Sequence, residues 1–345
     1  MKRVARQAVA TVAMGARLRS IVGAGQAVVL RYHRVSGSAE HPVPLAVTPE
    51  EFEAQLQFLR ERCQVVSPRV IAECVAEERP LPPNAVAITF DDGYEDNFSV
   101  AFPLLKKYEL PAGFFVTAGW MEENKMTWWD TLHEYMCKAV EEHAEPAGHE
   151  ALPTPVAAAL TSANLAAPGG RATIEQELVA ALRGLNQPVA ELEALVEQIA
   201  AVLGVGEADP TAYQPMNWMQ VRLLHDGGMD IGSHTMSHAR LTTLPVEQAL
   251  EELEQSKKII EKHLGEPIDL LAYPAGDYNQ DVEDLAVEAG YEGAFTTVAG
   301  PVRPGDDAFA LRRIGVWCGG YRGGFGKHFS PTVFGLQISR LARRT

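Results

Sequence analysis

The sequence predicts an α/β fold built on a parallel sheet or barrel and interrupted by a helical insertion. Three observations carry this. Strand-like and helix-like segments alternate in the first and last parts of the chain, the rhythm of a parallel α/β fold. The central strand candidate is a continuous apolar run, as strands covered on both faces are. Between about residues 122 and 212 the text turns Ala- and Glu-rich, broken by Pro and Gly, with no strand-like run. At 345 residues and 46% hydrophobic, the chain can bury a large core as one enlarged domain with an insertion.

The elements follow in order. "AVVLRYHRV", residues 27 to 35, reads as a strand. "VTPEEFEAQLQFLRERC" reads as a helix, with Thr48 as N-cap, Pro49 in the first turn and Glu51 completing a capping box. "AVAITF" is the buried parallel strand, followed by a helix around "NFSVAFPLLKKYEL" and a strand at "AGFFVT". "IEQELVAALRGL" and "AELEALVEQIAAVLG" are helices of the insertion. The α/β rhythm then resumes with helix "NWMQVRLLHDGG", strand "MDIGSH", helix "PVEQALEELEQSKKIIEKHLG" and strand "IDLLAYP". Helix "DVEDLAVEAG", strand "YEGAFTTV" and a last strand near "ALRRIGV" complete it. The expected organisation is a basic leader over 1–26, barrel over 27–121, insertion over 122–212, barrel again over 213–320, and a tail over 321–345. No fixed-period repeat is visible.

A formal net charge of -15 offers no basic surface for counter-ion release, so nucleic acid is not an expected partner. The first 34 residues nevertheless carry Lys2, Arg3, Arg6, Arg17, Arg19, Arg31 and Arg34. Arg17 and Arg19 interrupt an Ala-rich run that makes a poor signal peptide, so a cytoplasmic location is favoured over export. No run approaches the roughly 20 apolar residues that span a bilayer, and no transmembrane segment is expected. Cys63, Cys74, Cys137 and Cys318 show no metal spacing and read as reduced thiols.

The chemistry concentrates at strand ends. "ITFDDGYEDN" puts Asp91 and Asp92 at the end of a buried strand, and "SHTMSH" puts His234 and His238 four residues apart. If a helix begins there, both imidazoles project from one face. With one carboxylate they make a His2Asp donor set of the kind that leaves coordination positions open, while the other carboxylate stays free as a base. The bland alternatives are a solvated acidic turn and histidines that cap or line a helix; the EF-hand pattern does not fit. Asp91, Asp92, His234 and the "YPAGD" stretch all fall where βα loops converge in barrels.

"TFDDGY" together with "SHTMSH" resembles the first two motifs of the polysaccharide deacetylases, carbohydrate esterase family 4, also called the NodB-homology fold. The resemblance runs over about 27–122 and 213–317 and leaves the insertion uncovered. It implies a distorted (β/α) barrel of the NodB-homology type that hydrolyses N-acetyl groups of an N-acetylhexosamine-containing glycan. It also implies Asp91 as catalytic base, and Asp92, His234 and His238 as ligands of a divalent cation, usually Zn2+. The expected partner is thus a glycan or amino-sugar substrate.

Two departures from the family pattern stand out. "LLAYPAGDYN" aligns with a third motif, commonly Arg-x-Pro-Tyr, but has Ala272 and Ala275 at the Arg and Tyr positions. The backbone N–H of Ala275 can still serve an oxyanion. Arg313 in "LRRIGV" is the candidate to replace the missing arginine, the alternative being a surface arginine at a strand end. The family's Leu-x-His motif is absent. His33 in "LRYHRV" instead resembles the early histidine of the exopolysaccharide poly-N-acetylglucosamine deacetylases, which implies that it protonates the departing amine; a core histidine is the alternative. Such an acid needs a pKa near working pH.

Trp128 and Trp129 in "TWWD" open the insertion and either stack on sugar or staple helices to the barrel. Tyr94, Tyr273 and Asp277 join them as candidate substrate contacts. The rival readings are a hydrolase of the same fold acting on another amide, an O-acetyl ester or a lipid-linked sugar, and a catalytically silent glycan-binding homologue.

Overall fold

The structure, a computed structural model, describes residues 21–37, 45–144, 146–209, 211, 213–317 and 330–341. Most of the expected leader, residues 1–20, and much of the expected tail lie outside the described residues.

The first predicted strand breaks at His33 into β1 (Ala27–Tyr32) and β2 (Arg34–Val35), and β2 pairs with β3 (Ala46–Val47) in a small parallel ribbon. Helix α1 (Pro49–Arg62) starts as its sequence dictates, with Thr48 Oγ1 accepting from Glu51 N–H at 3.1 Å. Next come β4 (Gln64–Val65), α2 (Pro68–Ala76) and β5 (Ala85–Phe90), the last buried at every position.

The segment predicted as one helix after β5 is two pieces. A single π-type turn spans Asn97–Ala101, and α3 (Phe102–Lys107) follows. Pro103 has no N–H to return to the preceding turn, so that turn opens and Phe102 N–H reaches Asn97 O instead. Strand β6 (Gly113–Val116) and α4 (Ala118–Glu123) complete the first part.

The insertion is helical, as expected: α5 (Trp128–Glu141), α6 (Thr154–Leu160), α7 (Gly170–Gly184) and α8 (Val189–Leu203). These helices bury a core of their own around Met136, Leu178, Leu182, Val196 and Ile199. The chain leaving them returns to the Asp91–Asp92 loop, where Met216 N–H donates to Gly93 O at 2.8 Å and Glu95 N–H to Gln214 O at 3.0 Å.

The second part runs α9 (Trp218–Asp226), β7 (Asp230–Ser233), α10 (Val246–Leu264), β8 (Leu270–Ala272), α11 (Gln280–Glu288), β9 (Gly293–Phe295) and β10 (Ile314–Gly315). A further helix, α12 (Pro331–Leu341), lies beyond. Asn217 and Gln220 close a full capping box at the start of α9.

The strands form one parallel sheet in the order β10-β1-β5-β6-β7-β8-β9, with β4 beside β5. It curls until its ends meet: Leu311 bridges to Phe295 of β9, and Ile314 three residues on pairs with Leu30 of β1. The distorted (β/α) barrel is as expected. Alternation sorts the side chains. Val28, Leu30 and Tyr32 of β1 and Val86, Ile88 and Phe90 of β5 pack outward with α1. Ala27, Val29, Ala85, Ala87 and Phe115 join the inner cluster with α2. Cys63, Cys74 and Cys137 are free thiols. No helix among the described residues is long and apolar enough to cross a membrane.

Candidate active site

The inward row of β5 continues through Thr89 to Asp91. Strict alternation would send Asp92 outward, away from its neighbour. The strand ends at Phe90, and Asp92 and Gly93 take φ of 76° and 87°, consecutive left-handed residues. The reversal turns the Asp92 carboxylate to the same cavity as Asp91. Glycine adopts such a backbone at little cost and aspartate tolerates it better than most residues, which is what "DDG" encodes.

Arg313 lies inside the barrel, 1% exposed. Its Nη1 and Nη2 donate to Asp91 Oδ1 and Oδ2 at 2.6 and 2.7 Å, its Nη1 reaches Thr89 Oγ1 at 3.2 Å, and its Nε donates to Thr296 O at 2.9 Å. The guanidinium also sits over the Phe115 and Phe295 rings, 5.7 and 5.9 Å from their centroids. It is not a surface arginine. Burial alone would raise the Asp91 pKa, but Arg313 and then His234 hold the carboxyl well below the usual range.

His234 follows β7 directly, yet no helix begins there. Residues 234–240 form a loop in which Thr235 and His238 have φ of 65° and 61°. The conditional helix of the sequence reading is therefore corrected. The loop is folded by Glu252 of α10, whose carboxylate accepts from Met236 N–H and Ser237 N–H, both at 2.9 Å, and from Ser237 Oγ at 2.7 Å. A loop with two left-handed residues brings the two rings together, with centroids 4.9 Å apart.

Donor chemistry follows. His234 Nδ1–H donates to Ala272 O at 2.7 Å, which leaves the Nε2 lone pair facing the cavity. Nε2 of His234 and of His238 stand 3.5 and 3.6 Å from Asp92 Oδ1, and the three donor atoms lie within 4.8 Å of one another. Asp92 Oδ1 is buried with no hydrogen-bond partner. Burial, with His234 beside it, pushes the His238 pKa down to about 3, so the ring is neutral and its lone pair available. Such a set fits a divalent cation. The His238 ring is itself clamped: Trp120 stacks on it at 5.4 Å and Trp129 meets it edge-on at 5.0 Å.

A cavity of about 350 Å³ opens over these groups, lined by Asp91, Asp92, His234 and His238. His33 and Ala275 line it too. His33 ends the inward row of β1, and burial lowers its pKa to about 4, so its resting imidazole is neutral and not poised near working pH. Ala275 takes a left-handed φ of 55°, and its carbonyl accepts from Thr297 Oγ1 at 3.1 Å.

Other expected contacts lie elsewhere. Tyr273 belongs with Leu271 to the outward row of β8, is fully buried and stacks on Tyr278, so it does not reach substrate. Tyr94 is 3% exposed; its hydroxyl donates to Asp130 at 2.8 Å and accepts from Trp129 Nε1 at 3.0 Å, tying insertion to barrel. Asp277 accepts from Arg240 at 3.2 Å and from Thr242 and does not line the cavity, whereas Arg240 does. Trp128 and Trp129 touch the cavity but are 5% and 4% exposed and pack edge to face, the arrangement of a staple.

Several lining residues escaped the sequence reading. Arg31 carried a signal, since it stands two before His33 on the same strand face. Arg183 from the last turn of α7, Asn186 and Pro188 from the connection, and Val189 at the start of α8 also line it, and no local pattern marks them.

A family model described as polysaccharide deacetylase matches residues 78–151 and 196–294, together half of the chain. The unmatched stretch between them carries α6, α7 and the start of α8. The Bacillus subtilis (strain 168) protein YxkH, which bears a polysaccharide deacetylase name, is 22% identical over 301 residues, 87% of this chain and 75% of its own. The poly-beta-1,6-N-acetyl-D-glucosamine N-deacetylase of Escherichia coli (strain K12) is 32% identical over 96 residues, 28% of this chain but only 14% of that protein. Among solved structures, the Streptococcus pyogenes deacetylase PplD in complex with acetate superposes with TM-score 0.59 at 19% identity, covering 92% of this chain and 99% of that one. IcaB from Ammonifex degensii superposes with TM-score 0.55 at 22% identity, covering 86% and 94%. Both share the fold.

Proposed function

The chain belongs to the polysaccharide deacetylase family, hydrolases acting on carbon–nitrogen bonds, and from that premise we propose that it removes N-acetyl groups from an N-acetylhexosamine-containing glycan, with Asp92, His234 and His238 holding a divalent cation, zinc before others. The observation that carries the reading is Asp92 Oδ1: a buried carboxylate oxygen without a partner, faced by two imidazole nitrogens and one residue away from a second, separately held carboxylate. An uncompensated buried charge is costly, and a cation at that point offsets the cost. Bound there, the cation supplies Lewis acidity toward an acyl carbonyl and lowers the pKa of water.

The protein groups divide the remaining work. Arg313 fixes Asp91 in plane, and each carboxylate oxygen keeps a lone pair that the fork does not use. Through one of these Asp91 orients the attacking water and draws its proton. The backbone N–H of Ala275 faces the charge that develops on the acyl oxygen. His33 is neutral at rest, so it protonates the departing nitrogen only after receiving the proton that the water gives up. The C–N bond breaks, the amine leaves with that proton, and acetate keeps the water oxygen.

Zinc-loaded protein incubated with N-acetylglucosamine oligomers is expected to release acetate and free amine in equal amounts. Acetate without amine from an O-acetylated glycan would identify an esterase. No acetate from either, at full zinc content, would overturn the hydrolytic reading.

A further inference from the structure

Three guanidinium groups face the cavity beside the catalytic set: Arg31 from β1, Arg183 from the last turn of α7, and Arg240. Arg240 is accounted for. It pairs with Asp277 at 3.2 Å and donates to Asn186 Oδ1 at 2.9 Å, pinning the α7–α8 connection to the barrel. Lys125 reinforces the attachment through Glu193 of α8 at 2.6 Å. Arg183 is therefore held at the cavity wall before any substrate arrives.

Arg31 and Arg183 have no ion-pair partner among the described residues. Arg31 Nε is buried with no hydrogen-bond partner at all. The carboxylates on the cavity wall are Asp91, gripped by Arg313, and Asp92, enclosed by imidazoles. The chain as a whole carries a formal charge of -15, yet apart from those two engaged carboxylates no acidic side chain lines the cavity. Guanidinium forks pair bidentately with the charged oxygens of phosphate and carboxylate, whereas a neutral acetamido sugar offers only uncharged acceptors and nothing to balance two cations.

We propose that the substrate carries an anionic group, a phosphate ester or a carboxylate, close to its acetamido group, and that Arg183 and Arg31 are its counter-ions. This rests on the deacetylase reading and narrows it from glycans in general to acidic ones. It also gives the insertion a part in specificity, because Arg183 comes from outside the barrel.

The test uses the full chain loaded with zinc and three probes: N-acetylglucosamine, N-acetylglucosamine 1-phosphate and N-acetylmuramic acid. Dissociation constants by calorimetry and acetate release are measured in parallel. At least one anionic probe is expected to bind tenfold or more tighter than the neutral sugar, and whichever it is names phosphate or carboxylate as the source. Arg183→Gln and Arg31→Gln are each expected to cut that ratio severalfold at unchanged zinc content, with Arg183→Lys retaining part of it. Arg183→Gln lies on the insertion surface and keeps the test alive should Arg31→Gln not fold. The proposal is overturned if no anionic probe binds better than the neutral one. It is equally overturned if the preference survives in the Arg31→Gln/Arg183→Gln double variant, since the cation alone would then be reading the anion. Acetate from the neutral sugar without any anion preference would leave the deacetylase reading standing, whereas anion preference without acetate from any probe would sink that reading and not the anion site.

Discussion

Arg313 and Asp91, 222 positions apart in sequence, meet inside the barrel through two parallel hydrogen bonds of 2.6 and 2.7 Å. The fork fixes the carboxylate plane, which a single ammonium cannot do. Arg313→Lys is expected to lower kcat by about 10²-fold, the scale of a misplaced catalytic group, while zinc content stays at wild type. Arg313→Gln leaves a buried carboxylate alone and is expected to cost about 3 kcal/mol in urea denaturation as well. Wild-type turnover in Arg313→Lys would remove Arg313 from the positioning role.

Asp91 and Asp92 separate by the same logic. Asp91→Asn is expected to keep its metal and lose turnover by about 10²- to 10⁴-fold, the range of general base catalysis. Asp92→Asn and His238→Ala are expected to lose metal and turnover together. Zinc at a hundred times its Kd adds about 2.7 kcal/mol of stability to a protein that binds it only when folded. Thermal denaturation with and without chelator therefore reads metal binding without an activity assay: wild type and Asp91→Asn shift, Asp92→Asn does not. Metal loss in Asp91→Asn would dissolve the division of roles.

Much of this site could be read from the sequence, and the reasons differ by residue. The α/β rhythm, the apolar run of β5 and the Thr48 cap are local signals, and each became the element it announced. Asp92, His234 and His238 were legible because two short motifs carry all three donors. Nothing local distinguishes Arg313 from Arg312; only closure of the barrel between β9 and β10 carries it under Asp91. Whether a helix begins at His234 was not legible, because a helical spacing is also available to a loop and the residue that folds this one, Glu252, sits on a different element. Tyr273 failed for a simpler reason: strand parity points it outward, and that parity was there to be counted.

Trp129 links the insertion to the metal set through the His238 ring, 5.0 Å away, and through its indole N–H to Tyr94. Groups that clamp a ligand ring govern metal affinity without touching the metal. Trp129→Leu is expected to weaken zinc binding by about tenfold in a competition assay with a chromogenic chelator. Trp128→Leu removes a comparable volume but leaves the His238 contacts in place, so it is expected to destabilise the fold with zinc affinity near wild type. Equal losses of affinity in both variants would mean that the insertion acts by general packing alone.

His33 gives the metal-free protein a pH dependence of known sign. Its folded pKa is lowered by burial to about 4, against about 6.5 in an unfolded chain. Between those values the unfolded state binds the extra proton and the folded state does not, so stability is full above pH 6.5 and is lost as pH falls toward 4. Each pH unit of that window is worth about 1.4 kcal/mol, so the loss attributable to His33 across it is on the order of 3 kcal/mol. His238, lowered in the same direction, adds to it. Urea midpoints measured in chelator at pH 7.5, 5.5 and 4.5 are expected to fall steadily for the wild type. His33→Gln, which keeps a polar group but no titration, is expected to flatten the upper part of that fall. An unchanged slope in His33→Gln would show that His33 keeps an ordinary pKa in the folded chain, able to carry a proton at rest, and the order of proton transfers proposed for the amine would have to be reversed.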